Sequence, residues 1–135
     1  MIKLKNILLE SDLPDDLFIP HNIEGRLEKY IQNYIKNGCV GDLNLFSQNL
    51  TRFPEILRNI KRVGGGLYCY YNRLETLEYC PEIVEGSFVC SFNNLRSLKY
   101  APKFVGDKFS CFKNPGNFTE ADVKAVCEVK GEIIT

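Results

Sequence analysis

The sequence predicts an α/β repeat fold: a solenoid of short coils with parallel strands, opened by a helical cap and closed by a helix and a strand. Three observations predict it. First, GGLYCYYNRLETLEYCPEIVE (65–85) and GSFVCSFNNLRSLKYAPKFVG (86–106) align without a gap at a spacing of 21. Gly65/Gly86, Cys69/Cys90, Asn72/Asn93, Leu74/Leu95, Leu77/Leu98, Tyr79/Tyr100, Pro81/Pro102 and Val84/Val105 all coincide. Second, further copies flank these two. One begins at Asp107 and keeps Phe109, Cys111 and Asn114; an earlier one, 41–63, sets Leu43, Leu45, Leu50 and Phe53 24 residues before Leu67, Cys69, Leu74 and Leu77. Third, the segments beyond the copies carry helix signals. A unit this short cannot bury its own apolar side, so copies must stack, and an open stack needs caps.

The elements follow in chain order. Residues 1–11 form a leader, and residues 12–40 a helical cap. In the cap, Ile23, Leu27, Tyr30, Ile31, Tyr34 and Ile35 fall on one helix face, with Asn22 as N-cap and Gly38 just past the end. Residues 41–118 are the repeats, of which about four are expected. Their shared pattern, L-x-[LC]-x-x-[NQ]-x-L-x-x-L, is the leucine-rich-repeat signature at the short end of its range of periods. Each copy supplies a short strand and a turn. Pro81 and Pro102 disfavour a long helix on the return, which is expected to be extended or turn-like. The three extra residues of the first copy leave room for a helical turn at Pro54 to Ile60. Residues 119–135 are the second cap. There Thr119-Glu-Ala-Asp122 has the capping-box pattern, opening a short helix with Val123, Val126 and Cys127, and GEIIT makes an edge strand. The whole is expected to be one structural domain.

Composition narrows the partners. The chain has 135 residues, and 17 Lys plus Arg balance 17 Asp plus Glu. Zero net charge weighs against nucleic acid or an anionic membrane as a partner held by overall field. No apolar run approaches the ~20 residues of a membrane span. Ile7-Leu8-Leu9 is far short of the ~7–15 apolar residues of a secretory signal. The six cysteines (Cys39, Cys69, Cys80, Cys90, Cys111 and Cys127) are therefore read as free thiols in a reducing cytosol. At a spacing of 21, Glu75 falls over Arg96, Glu78 over Lys99 and Glu82 over Lys103, columns expected to hold the repeats in register.

Two columns of chemistry-bearing residues read as structural. Cys69, Cys90 and Cys111 occupy one inward strand position on successive rungs, about 4.8 Å apart. Such a line does not converge on one point as a four-ligand metal site requires, so no metal or other cofactor is expected. Asn72, Asn93 and Asn114, with Gln48 in the first copy, can satisfy backbone groups at the turn after each strand. The outward positions are the candidate site. With Leu67 and Cys69 inward, alternation turns Tyr68 and Tyr70 outward, together with Asn44, Phe46, Val89, Ser91, Ser110 and Phe112. Aromatic residues are enriched and charges depleted at interface centres, so this face is expected to bind a protein partner. Gly64-Gly65-Gly66 lacks the Lys and Ser/Thr of a phosphate loop and reads as a turn. His21 is the sole histidine and has no nucleophile near it in sequence. Arg52, Arg58, Lys61 and Arg62 read as a solvated edge. No nucleophile–base pair can be assembled, so no enzyme is expected.

The units around LYCYYNRLETLEYCPEIVEG and FVCSFNNLRSLKYAPKFVG resemble the short leucine-rich repeats of tailed bacteriophages and some bacteria, and NFTEADVKAVCEVKGEIIT resembles the segment that often follows them. The resemblance spans roughly residues 39–135. It implies a leucine-rich-repeat fold and a phage origin, and no activity. The leader resembles the capsid-targeting peptides of phage internal head proteins, with Leu8-Leu9-Glu10 as the protease motif and cleavage between Glu10 and Ser11. Two expectations result. The first is a non-catalytic protein-binding module acting in the host cytoplasm. The alternative is a virion-packaged internal protein that loses its leader and acts on a host defence or regulatory protein.

Overall fold

The computed structural model describes residues 23–135, so the leader, the Glu10–Ser11 cleavage site, His21 and the Asn22 N-cap lie outside the described residues. The chain divides into two units, Met1–Tyr30 and Ile31–Thr135. Helix α1 (Ile23–Lys36) runs through the division, and Leu27, Ile31 and Tyr34 on it are buried. Its end has a local cause. Gly38 adopts a φ of 86°, letting its N–H reach the Ile35 carbonyl at 3.0 Å while Cys39 N–H reaches Tyr34 at 2.9 Å. That pair of bonds is the Schellman arrangement, which favours glycine for its left-handed backbone.

From Leu43 onward the chain is a run of coils, each giving one two-residue strand to each of two parallel sheets. The first sheet contains β1 (Leu43–Asn44), β3 (Leu67–Tyr68), β5 (Phe88–Val89), β7 (Phe109–Ser110) and β9 (Ile133–Ile134), in that order. The second contains β2 (Arg62–Val63), β4 (Ile83–Val84), β6 (Phe104–Val105) and β8 (Glu128–Val129). Register is constant: Leu43 pairs with Leu67, Leu67 with Phe88, and Phe88 with Phe109. One backbone bond recurs from coil to coil, from Leu43 N–H to Gly66 and from Leu67 N–H to Ser87, both at 2.8 Å. Parallel pairing at every step gives the molecule a repeat-like α/β arrangement.

Alternation along each strand builds the core. Leu43, Leu67, Phe88 and Phe109 form one fully buried column, and Leu45, Cys69, Cys90 and Cys111 form the next inward one. In the third and fourth coils the first column holds Phe and the second Cys, a large residue beside a small one, while the second coil has Leu67 with Cys69. Phe88 and Phe109 meet edge to face, their centroids 5.1 Å apart.

The returns after Pro81 and Pro102 are extended and pair into the second sheet, where Val63, Val84 and Val105 are fully buried. In the first coil the extra length forms a 3-10 turn, Glu55–Asn59, that buries Leu57. Gly64-Gly65-Gly66 turns the corner between β2 and β3. Gly66 N–H donates to Asp42 Oδ1 at 2.7 Å, and a Cβ on Gly65 would collide with that same carboxylate.

The C-terminal stretch extends the stack. Helix α2 (Glu120–Lys124) opens on a capping box: Asp122 N–H donates to Thr119 Oγ1 at 3.2 Å, and Thr119 N–H to Asp122 Oδ2 at 2.9 Å. GEIIT then forms the edge strand β9, while β8 adds a pairing to β6. The spacing from Phe109 to Ile133 is again 24: α2 takes up the extra length of the fourth coil, and β9 opens a fifth.

The charge columns differ from expectation. Among the described residues no ion pair joins Glu75 to Arg96, Glu78 to Lys99 or Glu82 to Lys103. Glu78 pairs instead with Arg52 at 3.8 Å, and Glu85 with Arg62, each across to the preceding coil. Glu78 leans diagonally rather than along its column, as Glu85 does toward Arg62.

Candidate protein-binding face

The turns after β3, β5 and β7 are each built around an asparagine. Asn72 Oδ1 accepts from the backbone N–H groups of Gln48 (2.9 Å) and Leu50 (3.0 Å) in the coil before it. Its Nδ2 donates to the carbonyls of Leu45 (2.8 Å) and Cys69 (3.0 Å). Asn93 and Asn114 repeat the arrangement, accepting from Leu74 and Leu95 N–H, each at 2.9 Å. All three are buried, and each bridges two coils. Gln48 in the first copy turns its amide to the Phe46 carbonyl at 3.1 Å.

To bring these asparagines inward, the residue just before them takes a left-handed backbone. Ser47, Tyr71, Phe92 and Lys113 have φ between 54° and 60°. For a bulky L-residue that conformation is unfavourable, by about 1–2 kcal/mol. Its consequence is to point Tyr71 and Phe92 to the outer face, where simple alternation would have turned them inward.

The outcome is a continuous row of rings. Phe46 stacks on Tyr70 with centroids 5.0 Å apart and planes 3° from parallel. Tyr70 meets Tyr71 edge-on at 5.5 Å, Tyr71 stacks on Phe92 at 4.5 Å, and Phe92 meets Phe112 at 5.2 Å. Phe46 is 39% exposed and Tyr71 53%, while Tyr70, Phe92 and Phe112 are half-buried.

Of the outward residues singled out in sequence, Asn44 is exposed, and Tyr68 and Val89 are half-buried. The Tyr68 ring lies over Gly66, where an added Cβ would meet it at 2.6 Å. Burial raises its hydroxyl pKa, and the Asp42 and Asp107 carboxylates raise it further. Ser91 and Ser110 are corrections to the expected face. They are only 1% and 5% exposed, and their hydroxyls bond each other at 2.8 Å. A short side chain between taller neighbours (Tyr70 and Phe112 beside Ser91, Val89 and Ile134 beside Ser110) is shielded from water, and the mutual bond satisfies both hydroxyls.

Cys69, Cys90 and Cys111 lie buried beneath this face as free thiols. Burial pushes the thiols of Cys69, Cys80 and Cys90 well above their ordinary range, and those of Cys111 and Cys127 up to about 11. Protonated thiols are poor nucleophiles and metal ligands. Among the described residues no three His, Cys, Asp or Glu side chains are grouped so as to hold a metal ion, and no helix is long and apolar enough to cross a membrane. In the basic cluster, Arg52, Arg58 and Arg62 each face a glutamate (Glu78, Glu55 and Glu85), which neutralises most of its field. No family model, curated protein or solved structure matches the chain.

Proposed function

We propose that this chain is a non-catalytic leucine-rich-repeat module that binds a protein partner through its row of aromatic rings, and that it is phage-encoded and acts in the host cytoplasm. The row from Phe46 to Phe112 carries the reading. Two of its members, Tyr71 and Phe92, stand at left-handed positions where Asn or Gly would cost the fold less. Aromatic side chains kept there against a backbone cost, and left partly open to water, are accounted for by contact with something outside the chain. The periodic Leu, Cys and Asn columns support the leucine-rich-repeat reading, and the resemblance of the repeats and the terminal segment supports the phage origin.

The test is a double substitution, Tyr71→Asn with Phe92→Asn. It removes two rings, each contact worth about 0.5–1.5 kcal/mol, and relieves about the same in backbone strain. Stability should change by no more than about 1 kcal/mol, while a partner captured by the unsubstituted protein from infected host cells should be lost. Capture of the same partner at undiminished yield by the double variant would overturn the assignment of this face.

A further inference from the structure

We infer that a second copy of this chain docks tail to tail against the β8 edge, with a twofold axis at Val129. Two things distinguish this end of the stack. In the inward columns every coil but the last is sealed: Val63, Val84 and Val105 are fully buried and Val129 is half-buried; Leu43, Leu67, Phe88 and Phe109 are fully buried and Ile133 is half-buried. Among the described residues, the last rung thus has the side chains of a core position with no further coil against it. Its backbone edge is also unpaired among the described residues. The Val84 carbonyl accepts from Gly106 N–H at 2.8 Å and the Val105 carbonyl from Lys130 N–H at 3.0 Å, but among the described residues no strand pairs with the outer edge of β8.

Glu128 and Lys130 N–H groups both point back to β6, bonding Lys103 and Val105. The intervening Val129 N–H and C=O therefore face away, toward the open edge. Opposite residues of an antiparallel pair can exchange both bonds, so Val129 can pair with its own copy. In that register Glu128 stands opposite Lys130 of the second copy, and Lys130 opposite Glu128. The charge pattern is self-complementary about the axis. Within one chain these two side chains already attract, at 2.9 Å, and both are about three-fifths exposed, so they are free to pair across the axis.

The other end of the stack does not offer the same surface. There Leu43 and Val63 are fully buried, Gly64 N–H is taken by the Cys39 carbonyl at 2.9 Å, and the Tyr34 hydroxyl donates to the Gly41 carbonyl at 2.7 Å. Head-to-tail growth into a filament lacks a matching face, which leaves a closed, isologous pair. Two short edges make a contact below the ~800 Å² per partner of a standard interface, so the dimer should dissociate on dilution.

Sedimentation of the full chain from about 1 µM to about 1 mM, a range covering weak and moderate complexes, tests this. A reversible, salt-weakened monomer–dimer equilibrium is expected. Lys130→Glu, which sets like charges across the axis, should weaken it at least about tenfold, and Glu128→Lys combined with Lys130→Glu should restore it. Thermal midpoints close to the parent's would confirm that both variants are folded. A chain that stays monomeric throughout, a Lys130→Glu variant that pairs as well as the parent, or a double variant that stays monomeric would each overturn the inference.

Discussion

Replacing Asn93 with Leu is expected to lower the free energy of unfolding by about 2–4 kcal/mol. Asn93 accepts from Leu74 N–H and donates to the carbonyls of Cys69, Cys90 and Ser91 at 3.0–3.3 Å. The losses are unequal. The Cys69 carbonyl keeps Asn72 as a donor and the Cys90 carbonyl keeps Asn114. Leu74 N–H keeps nothing comparable, and it lies in a fully buried residue. One orphaned donor costs about 1–3 kcal/mol, and a branched apolar group forced among carbonyls adds to it. The neighbouring Asn94 is the control. It is exposed and engages Leu74 through its backbone alone, so Asn94→Leu should shift stability by no more than about 0.5 kcal/mol. Urea unfolding of the three proteins checks both statements, and equal midpoints would show that the asparagine column does not hold the coils together.

Raising the pH above 9 should progressively destabilise and then unfold the protein. Burial raises the thiols of Cys69, Cys80 and Cys90 well above the ordinary value of 9.0, and those of Cys111 and Cys127 to about 11. Below pH 9 all of them are protonated whether the chain is folded or not, and they leave stability unaffected. Above it the unfolded chain ionises while the folded one does not, so the unfolded state gains. For Cys111 and Cys127 the loss accrues between pH 9.0 and about 11; the other three, raised well above 9.0, add to it. Each thiol held protonated costs about 1.4 kcal/mol per pH unit, so Cys69, Cys80 and Cys90 together cost about 4. Against a typical total of about 5–15 kcal/mol, a loss of that size per pH unit is enough to unfold the protein in alkaline solution. Circular dichroism and thiolate absorbance should change together, and Cys90→Ala should make the transition less steep. Thiolate absorbance rising near pH 9 with the fold intact would contradict the burial of these groups.

Much of the strand stacking was legible because it is periodic. A column such as Leu43, Leu67, Phe88 needs only a spacing and a side-chain class, and both are written in the chain. The Schellman end at Gly38 and the capping box at Thr119 are local chemistry within six residues, and equally readable. The second sheet was not, because Ile83–Val84 and Phe104–Val105 are short runs whose pairing depends on neighbours 21 residues away. Nor was the diagonal reach of Arg52 to Glu78, since a column alignment says which residues stand side by side and not where long side chains lean.

The outer face divides the same way. Phe46, Tyr70 and Phe112 follow from strict alternation, but Tyr71 and Phe92 do not, because the left-handed residue before each buried asparagine breaks the alternation. The recurrence of an aromatic residue just before Asn72 and Asn93 was a signal available in the chain. Reading it required knowing that the backbone reverses hand there. Ser91 and Ser110 show the converse, outward by position yet enclosed by their neighbours. By itself, then, the sequence determined the repeat, its register and the polar column that ties one coil to the next, because each is set by residues a fixed distance apart. Only the tertiary structure decided which outward side chains meet water and which strands, β8 and β9 among them, lie at the edges of the described sheets. Those outcomes depend on the heights and backbone turns of neighbouring coils, which spacing does not record.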